Sequence, residues 1–355
     1  MKTICKKIPL KEIATFLNGY AFKPSDWSKE GLPIIRIQNL TGTNKEFNYY
    51  NGNYNEKYII ENGDILISWS ASLGIFLWEN MRGILNQHIF KVIFDKNIEI
   101  DKTYFLHCMK FLIKKIEKNI HGSTMKHITR PEFEKIIFPI YEIDIQRKIS
   151  KNLIFITKII ENNKKLLDEL KELSKSLFTT MFGDIKTNDK NWEIYYWKDV
   201  LNIKNGKNQK QVEDINGKYP IYGSGGIIGR SNAYICNENS IIIGRKGNIN
   251  KPILVKEKFW NVDTAFGLEV KSEKMSYHYL YYFCLFYDFE IHNKAVTIPS
   301  LVKSDLEKIV LPIPPMELQN KFAERIEKIE KLKFTIMTII LNTYKTMKKK
   351  GVEKD

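Results

Sequence analysis

Residues 134–146 read EKIIFPIYEIDIQ, and residues 307–319 read EKIVLPIPPMELQ. Glu, Lys, Ile, Pro, Ile and Gln occupy matching positions in both stretches. In each of them a short β-forming run around a proline leads directly into a long segment that contains no glycine. This pair of stretches decides the fold, because it marks two places at which a globular region passes into a long helix.

Three further pairs of similar segments precede these stretches in the same order, which indicates an internal duplication. The pairs are 13–19 (IATFLNG) with 200–206 (VLNIKNG), 63–67 (GDILI) with 239–243 (NSIII), and 86–90 (NQHIF) with 262–266 (VDTAF). The connections between the segments differ in length from copy to copy, as in a framework that carries variable loops. Both copies mix short β-like runs, such as ILIS at 65–68 and IIIG at 241–244, with glycine, asparagine and proline.

Each copy is followed by apolar residues in steps of four and three, the pattern of a helix with a heptad-like seam. The first seam comprises Ile149, Leu153, Ile156, Ile160, Asn163, Leu167, Leu170, Ser174 and Leu177, and Gly183 is a plausible end signal. The second comprises Phe322, Ile326, Ile329, Leu332, Ile336, Ile340 and Met347.

Two long helices with one apolar side each need partners. We expect an antiparallel coiled coil between two globular domains; the alternative is that each helix packs on its own domain. Asn163 either fixes the register of the seam or is a partly solvated position. The expected boundaries are domain 1 at 1–143, spacer helix 1 at 144–183, domain 2 at 184–315, spacer helix 2 at 316–350 and a basic tail at 351–355.

Composition points to a polyanionic partner, most often nucleic acid. Lys and Arg number 56 against 41 Asp and Glu, a formal charge of +15. No apolar region follows the N-terminal lysines, and no run of 18 uncharged apolar residues occurs, so we expect neither a signal peptide nor a membrane span. Four widely spaced cysteines are typical of a reducing cytoplasm.

Motifs for catalysis are absent from the sequence. It contains no HExxH, no GxxxxGK[ST] phosphate loop and no Asn/Asp-Pro-Pro-aromatic methylation tetrapeptide. Asp263, Glu269 and Lys271 superficially match a metal-dependent nuclease arrangement, but the flanking residues favour an ordinary strand with Phe266 and Leu268 inside. We therefore expect no catalytic and no metal-binding residues. Two alternatives remain: an enzyme that carries its own methylation or cleavage chemistry, and a coiled-coil scaffold with no nucleic-acid role.

Together these features resemble the specificity (S) subunit of type I restriction–modification systems, over essentially the whole chain. The second copy carries the resemblance most specifically, in KYPIYGSGGIIGRSNAY at 218–234, IIIGRKGNIN, VDTAF and LVKSDLEKIVLPIPPMELQNKF. The first copy shows IATFLNGYAF, GLPIIRIQNL, NGDILIS, LNQHIF and TRPEFEKIIFPI. It lacks the YPIYGSGG segment, and GLPIIRIQNL with a longer Asn/Tyr-rich loop stands in its place.

The resemblance implies an α+β fold, with two pseudo-symmetric mixed α/β target-recognition domains separated by an antiparallel coiled coil of two long helices. It implies that each domain reads one half of a bipartite, asymmetric double-stranded DNA site. The helices would hold two modification (methyltransferase) subunits, joined by restriction subunits. S-adenosylmethionine, ATP and Mg²⁺ would belong to those partners, with no cofactor on this chain. A helix of roughly 30 residues spans about 45 Å, a little over one turn of B-DNA, and would set the spacer length.

DNA contacts are expected from side chains that reach base edges and from cations that reach phosphates. In the second copy the candidates flank the glycine-rich segment and a basic turn: Tyr222, Ser224, Arg230, Arg245 and Lys246. In the first copy they are the polar cluster of GLPIIRIQNL, the positions that correspond to Gly244 and Arg245, and a late lysine: Arg36, Gln38, Asn39, Ser68, Trp69 and Lys126.

Overall fold

The computed structural model describes residues 5–69, 73–120, 129–293, 295 and 297–351, with the backbone alone for residues 117–120 and 347–351. The chain divides into two compact units. Unit 1 comprises Met1–Asn162 with Ile339–Asp355, and unit 2 comprises Asn163–Thr338. Both long helices therefore contribute residues to both units. The domain boundaries expected from the sequence stay a prediction.

Unit 1 is built on two four-stranded sheets. The larger apolar cluster of the unit lies between the first sheet and helix α2, and includes Phe16, Phe90, Phe105 and Phe133. The strand orders are β2-β9-β6-β7 and β4-β3-β8-β5, with a separate β1-β10 pair. The strands are β1 (Lys6–Pro9), β2 (Thr15–Asn18), β3 (Leu32–Ile35), β4 (Asn48–Tyr50), β5 (Ile59–Ile60), β6 (Ile65–Ser68), β7 (Gly74–Leu77), β8 (Gly83–Leu85), β9 (Ile89–Ile93) and β10 (Ile137–Ile140). The helices that begin in this unit are α1 (Ile37–Thr41), α2 (Lys102–Ile120), α3 (Arg130–Glu134) and α4 (Ile143–Phe182).

Unit 2 repeats this plan with a smaller second sheet. Its sheets have the orders β12-β18-β15-β16 and β14-β13-β17, with a β11-β19 pair. The strands are β11 (Glu193–Tyr196), β12 (Leu201–Asn205), β13 (Tyr219–Gly223), β14 (Gly226–Ser231), β15 (Ser240–Gly244), β16 (Ile253–Val255), β17 (Trp260–Asn261), β18 (Ala265–Val270) and β19 (Val310–Ile313). The helices are α5 (Trp197–Val200), α6 (Tyr277–Phe286), α7 (Lys303–Leu306) and α8 (Met316–Gly351).

The duplication in the sequence is a duplication of topology. In both units an antiparallel four-stranded sheet joins the NG-containing strand to the strand that follows the NQHIF or VDTAF turn. In both, a second sheet contains one parallel pair, β3 with β8 and β13 with β17. The predicted α+β class, with two similar mixed domains and two long helices, is confirmed.

A buried glutamine ties each long helix to the body of its unit. Gln146 and Gln319 have no exposed surface. The Gln319 amide donates to the carbonyls of Lys274 (2.9 Å) and Pro314 (2.7 Å), and its oxygen accepts from the backbone N–H of Ser276 (2.8 Å). Gln146 makes the same three kinds of contact, with Glu99, Tyr141 and Asp101. The glutamine that ends both 134–146 and 307–319 therefore fixes the long helix to its domain, since its buried amide satisfies three backbone groups.

The long helices pair in antiparallel fashion within unit 2. Ser174 of α4 accepts a hydrogen bond from Lys333 (3.1 Å), whereas Phe182, further along α4, contacts Phe322, earlier in α8, with ring centroids 5.0 Å apart. Phe178 also stacks on Tyr279 of α6 at 5.6 Å. The end of α4 thus packs on the other long helix and on the domain that follows it in the sequence.

Among the described side chains, the second seam differs from prediction at one position, and the side chain of Met347 lies outside them. Leu332 is 46% exposed, and Lys333 takes its place between the buried Ile326 and Ile336. Alternating steps of four and three residues from Phe322 pass through Ile326 and Ile329 to residue 333. The predicted seam took a second step of three after Ile329, and it therefore named Leu332, which points out of the seam. Ser174 and Glu330 hold the Lys333 ammonium there, at 3.1 and 2.8 Å.

The cysteines behave as structural residues. Cys108 of α2 and Cys284 of α6 are both buried, and all four cysteines are free thiols. Desolvation by burial raises the pKa of the Cys108 thiol to about 12 and raises that of Cys284 as well, so neither forms a thiolate at neutral pH. Within the described residues, no helix is long and apolar enough to cross a membrane.

We predict that Gln319→Ala lowers the free energy of unfolding by about 2–4 kcal/mol, because three buried backbone groups lose their partner. The measurement is urea denaturation followed by circular dichroism. Gln211→Ala, at an exposed position, serves as the control and should change stability by less than about 0.5 kcal/mol. Equal stability of the two variants would contradict the role of Gln319.

Candidate nucleic-acid interface

Each unit presents one tight turn between its two larger sheets. We call residues 86–89 the first edge turn and residues 262–265 the second edge turn. In both, the backbone N–H of the fourth residue donates to the carbonyl of the first: Ile89 to Asn86 at 3.2 Å, and Ala265 to Val262 at 2.9 Å. The two corner positions are Gln87 and His88 in unit 1, and Asp263 and Thr264 in unit 2.

A glycine presses against each edge turn. The Gly19 N–H donates to the Ile89 carbonyl and the Gly206 N–H to the Ala265 carbonyl, both at 3.2 Å. A Cβ atom on Gly206 would lie 1.8 Å from the Val262 carbonyl oxygen, and one on Gly19 would lie 2.2 Å from that of Leu85. Only glycine permits this approach, which explains why both copies of the sequence contain an Asn-Gly pair at this point.

The ends of two strands flank the second edge turn. The backbone N–H groups of Arg245 and Lys246 donate to the Thr264 carbonyl, at 2.8 and 3.2 Å. On the other side, the Val262 N–H donates to the Tyr222 carbonyl at 2.9 Å. The glycine-rich connection between β13 and β14 also lies close, because a Cβ on Gly247 would be 3.8 Å from Ser224 Oγ. The structure therefore brings Tyr222, Ser224, Arg245 and Lys246 together around this turn.

The first edge turn has equivalent neighbours. The Trp69 N–H donates to the His88 carbonyl (3.4 Å), and the Asn86 N–H donates to the carbonyl of Ile35, the residue before Arg36 (3.1 Å). The Trp69 and His88 rings lie 5.7 Å apart. Trp69 and Arg245, which align between the two copies of the sequence, thus fall at corresponding places around the two turns, as do Ile35 and Tyr222.

Three of the predicted contacts use their polar groups within their own unit. Ser68 is completely buried. Asn39 accepts from the Arg36 N–H (2.9 Å) and donates to the Glu46 carbonyl (2.8 Å), which closes the turn after β3. The Arg230 guanidinium donates to the carbonyls of Gly217 and Lys218, at 2.6 and 2.7 Å. These side chains maintain the loops and are not part of the surface that we assign to DNA below.

The other candidates lie at or near the surface. Arg245 and Lys246 are exposed, and the Arg245 guanidinium lies 5.8 Å from the Phe266 ring centroid. Arg36 lies over Trp27 at 5.3 Å, and Gln38 is half-buried. Tyr222 is half-buried against Phe259, and this burial raises the pKa of its phenol. Lys126 lies outside the described residues.

Sequence reasoning did not assign the edge turns themselves. The signal was present, because NQHIF and VDTAF both end in two apolar residues, the last of them Phe, and differ at their centres. Framework hydrogen bonds fix the first and last residues of both turns. The corner residues differ: they are Gln87 and His88 in unit 1, and Asp263 and Thr264 in unit 2. Tyr20 and Lys207 are also equivalent, since each directly follows the pressing glycine and donates its N–H beside the turn, to Leu85 and Asn261.

The nuclease-like arrangement does not assemble. Glu269 pairs with Lys204 at 2.7 Å and accepts from the Asn237 N–H at 2.7 Å. Phe266 and Leu268 are buried in strand β18, as the strand interpretation predicted. Among the described residues, no group of three or more His, Cys, Asp or Glu side chains is arranged to hold a metal ion.

Comparison with known proteins identifies two copies of one family domain. The family model for the type I restriction modification DNA specificity domain matches residues 5–172 and 189–345. The EcoBI specificity subunit of Escherichia coli is 24% identical over 171 residues, which cover 48% of this chain and 36% of that protein. The MjaVIII specificity subunit of Methanocaldococcus jannaschii is 23% identical over 325 residues, 78% of this chain and 75% of that protein. This chain therefore spans about a third of the length of the first relative and three quarters of the second.

Two solved structures share the fold. A type I restriction–modification S subunit from M. genitalium superposes with a TM-score of 0.60 at 15% identity, covering 100% of this chain and 97% of that one. A chain from a structure concerned with complex assembly and conformational transition of the type I system gives 0.54 at 12% identity, covering 99% of both chains.

We predict that Gly206→Ala lowers the free energy of unfolding by about 1–3 kcal/mol, because the new Cβ must displace the Val262 carbonyl. The readout is the thermal unfolding midpoint. Gly225→Ala is the matched control, since its Cβ would meet nothing closer than Asn248 Nδ2 at 3.6 Å. A Gly206→Ala variant as stable as Gly225→Ala would show that the close approach is not required.

Proposed function

Because this chain belongs to the type I restriction modification DNA specificity domain family, we propose that it is the sequence-specific DNA-binding specificity subunit of a type I restriction–modification complex. Each unit reads one half of a bipartite, asymmetric site. One observation carries the proposal: two units of the same topology present different side chains around equivalent edge turns. A shared framework that carries different side chains around its edge turns is suited to two half-sites of different sequence.

Charge supports DNA as the partner. The chain carries a formal charge of +15, and exposed Arg245 and Lys246 flank the second edge turn. Cations at such a surface release counterions from the DNA backbone, so binding should weaken steeply as salt rises. A coiled-coil scaffold without a nucleic-acid role, the second alternative considered from the sequence, would show no such dependence.

Partner subunits are proposed from the family and from apolar surface on the long helices. We propose two modification subunits, joined by restriction subunits. Within unit 2, Leu173 of α4 and Phe334 and Met337 of α8 are between 51% and 72% exposed. Large apolar side chains at such exposure are typical of an interaction surface, since they are costly to leave in water. S-adenosylmethionine, ATP and Mg²⁺ are assigned to those partners.

We propose that this chain determines which DNA sequence is recognised and catalyses no reaction itself. Its curated relatives are named specificity subunits, and Glu269, the nuclease-like carboxylate, is held by Lys204. None of the contacts described around either edge turn favours the alternative, a methyltransferase or endonuclease with fused recognition domains. Free thiols and a DNA target favour the cytoplasm as its location.

Mapping of modified bases in the source genome tests the proposal. We expect one methylated motif that is split, with two different half-sites and unread bases between them. The motif should disappear when the gene is deleted and return when it is restored. A motif in one continuous piece, or methyl transfer from labelled S-adenosylmethionine by the isolated chain, would overturn the proposal.

Arg245→Ala should weaken specific DNA binding by about tenfold, or relax one base position, in one half-site only. The comparison is with Lys198→Ala, which removes the same charge at the opposite end of the four-stranded sheet. Lys198 is exposed beside β12, whose Leu201 pairs with Val270 at the far end of β18. Fluorescence anisotropy on duplexes altered in either half-site measures both effects. Equal loss in both half-sites would contradict the assignment of one unit to one half-site.

A further inference from the structure

We propose that Asp263 is a specificity-determining residue: its carboxylate selects, in the half-site read by unit 2, a base that offers an exocyclic amino group, cytosine N4 or adenine N6. The inference rests on the proposed function and goes beyond it by naming the position and the hydrogen-bond chemistry of one base contact. Gln87 occupies the equivalent corner in unit 1, where an amide replaces the carboxylate.

The position of Asp263 is fixed by the framework. It is the second residue of a turn closed by the hydrogen bond from Ala265 to Val262 (2.9 Å). Gly206 presses on one side of that turn, and the N–H groups of Arg245 and Lys246 hold the Thr264 carbonyl on the other. A side chain on a turn held from two sides is presented with little loss of conformational freedom on binding, which a base-reading group requires.

The carboxylate itself is uncommitted. Asp263 is exposed, and in the part of the chain that the structure describes its side chain makes no hydrogen bond and no ion pair. Two other surface carboxylates of unit 2 do have partners: Asp288 accepts from Asn250 Nδ2 at 3.0 Å, and Asp214 accepts from Asn232 Nδ2 at 2.7 Å. Asp263 neither caps its own turn nor neutralises Arg245 or Lys246, although their backbones contact the residue after it.

The negative charge of Asp263 lowers the affinity for DNA unless the carboxylate finds a hydrogen-bond donor on the DNA. A negative charge on a surface that approaches DNA repels the phosphates of every sequence alike. An ionised carboxylate only accepts hydrogen bonds, and in the major groove the base-edge donors are the amino groups of cytosine and adenine. Asp263 therefore lowers affinity for all DNA and recovers it only at a site with an amino group opposite. This difference is how a repulsive element produces specificity.

The equivalent corner in unit 1 fits the same logic with different chemistry. Gln87 is closed into the first edge turn by its N–H, which donates to the Tyr20 carbonyl at 2.9 Å, and its Nε2 lies 3.4 Å from His88 Nε2. A neutral amide both donates and accepts, so it does not carry the general repulsion of a carboxylate. The two units accordingly impose different requirements at one structural position.

The experiment selects DNA from a pool of randomised duplexes with the tagged full-length chain, purified from its source cells together with any subunits that accompany it. Wild type is compared with Asp263→Asn. The wild-type pool should converge on a split motif in which one position of one half-site is restricted to C or A. Asp263→Asn should recover at least as much total DNA, because a repulsive charge is gone, and should lose that preference at least fivefold, with the other half-site unchanged.

Two further variants sharpen the comparison. Asp199→Asn removes the same charge from an exposed residue of helix α5, next to Val200 at the far end of the sheet, and should leave the motif intact. Gln87→Glu places a carboxylate in the first edge turn and should alter one position of the other half-site only. Unchanged motifs in both Asp263→Asn and Gln87→Glu would show that Asp263 is a solvated turn residue and would overturn the inference alone. A wild-type pool without any split motif would overturn the proposed function instead.

Discussion

The contact of one glycine with one turn is the constraint on which each unit depends. Gly206 and Gly19 allow a strand to approach so closely that any side chain would overlap the Val262 or Leu85 carbonyl. This approach holds the edge turn rigidly between the two sheets, and the turn in turn receives the ends of the neighbouring strands. The residues at its corners are therefore presented by the framework, while their identity is free to vary, because the framework hydrogen bonds use only the backbone atoms of these corner residues.

A second constraint connects each unit to its long helix. Gln146 and Gln319 each satisfy three backbone groups where a strand, a long helix and the start of α2 or α6 meet. A tyrosine hydroxyl repeats the arrangement nearby, with Tyr104 donating to the Pro139 carbonyl and Tyr279 to that of Pro312. A buried polar junction of this kind is directional, so it fixes how a helix leaves the domain, which apolar packing alone would leave less well defined.

The sequence predicted the duplication and the long helices well, because both produce regular patterns: repeated framework segments and apolar steps of four and three. It also led to Trp69 and Arg245, whose backbone N–H groups donate to equivalent carbonyls of the two turns, those of His88 and Thr264. It did less well where neighbours decide. Ser68 was chosen because it aligns with Gly244, next to the exposed Arg245, yet Ser68 ends a fully buried strand. Leu332 fits a helical stripe, yet Lys333 occupies the seam because Ser174 and Glu330 can hold its ammonium.

What the sequence by itself determined is the class of the chain: two α+β copies of one domain, two long helices and a basic surface suited to DNA. Those features are set by periodicity, repetition and net charge, which are properties of the chain read in order. Only the tertiary structure decided which polar groups are available. Asn39, Arg230 and Glu269 are hydrogen-bonded or ion-paired with groups that no sequence motif identifies. Asp263, in contrast, lies at an exposed corner, and its carboxylate has no partner among the described residues. Hydrogen-bond satisfaction depends on atoms that folding brings within about 3 Å, and residue order does not specify that proximity.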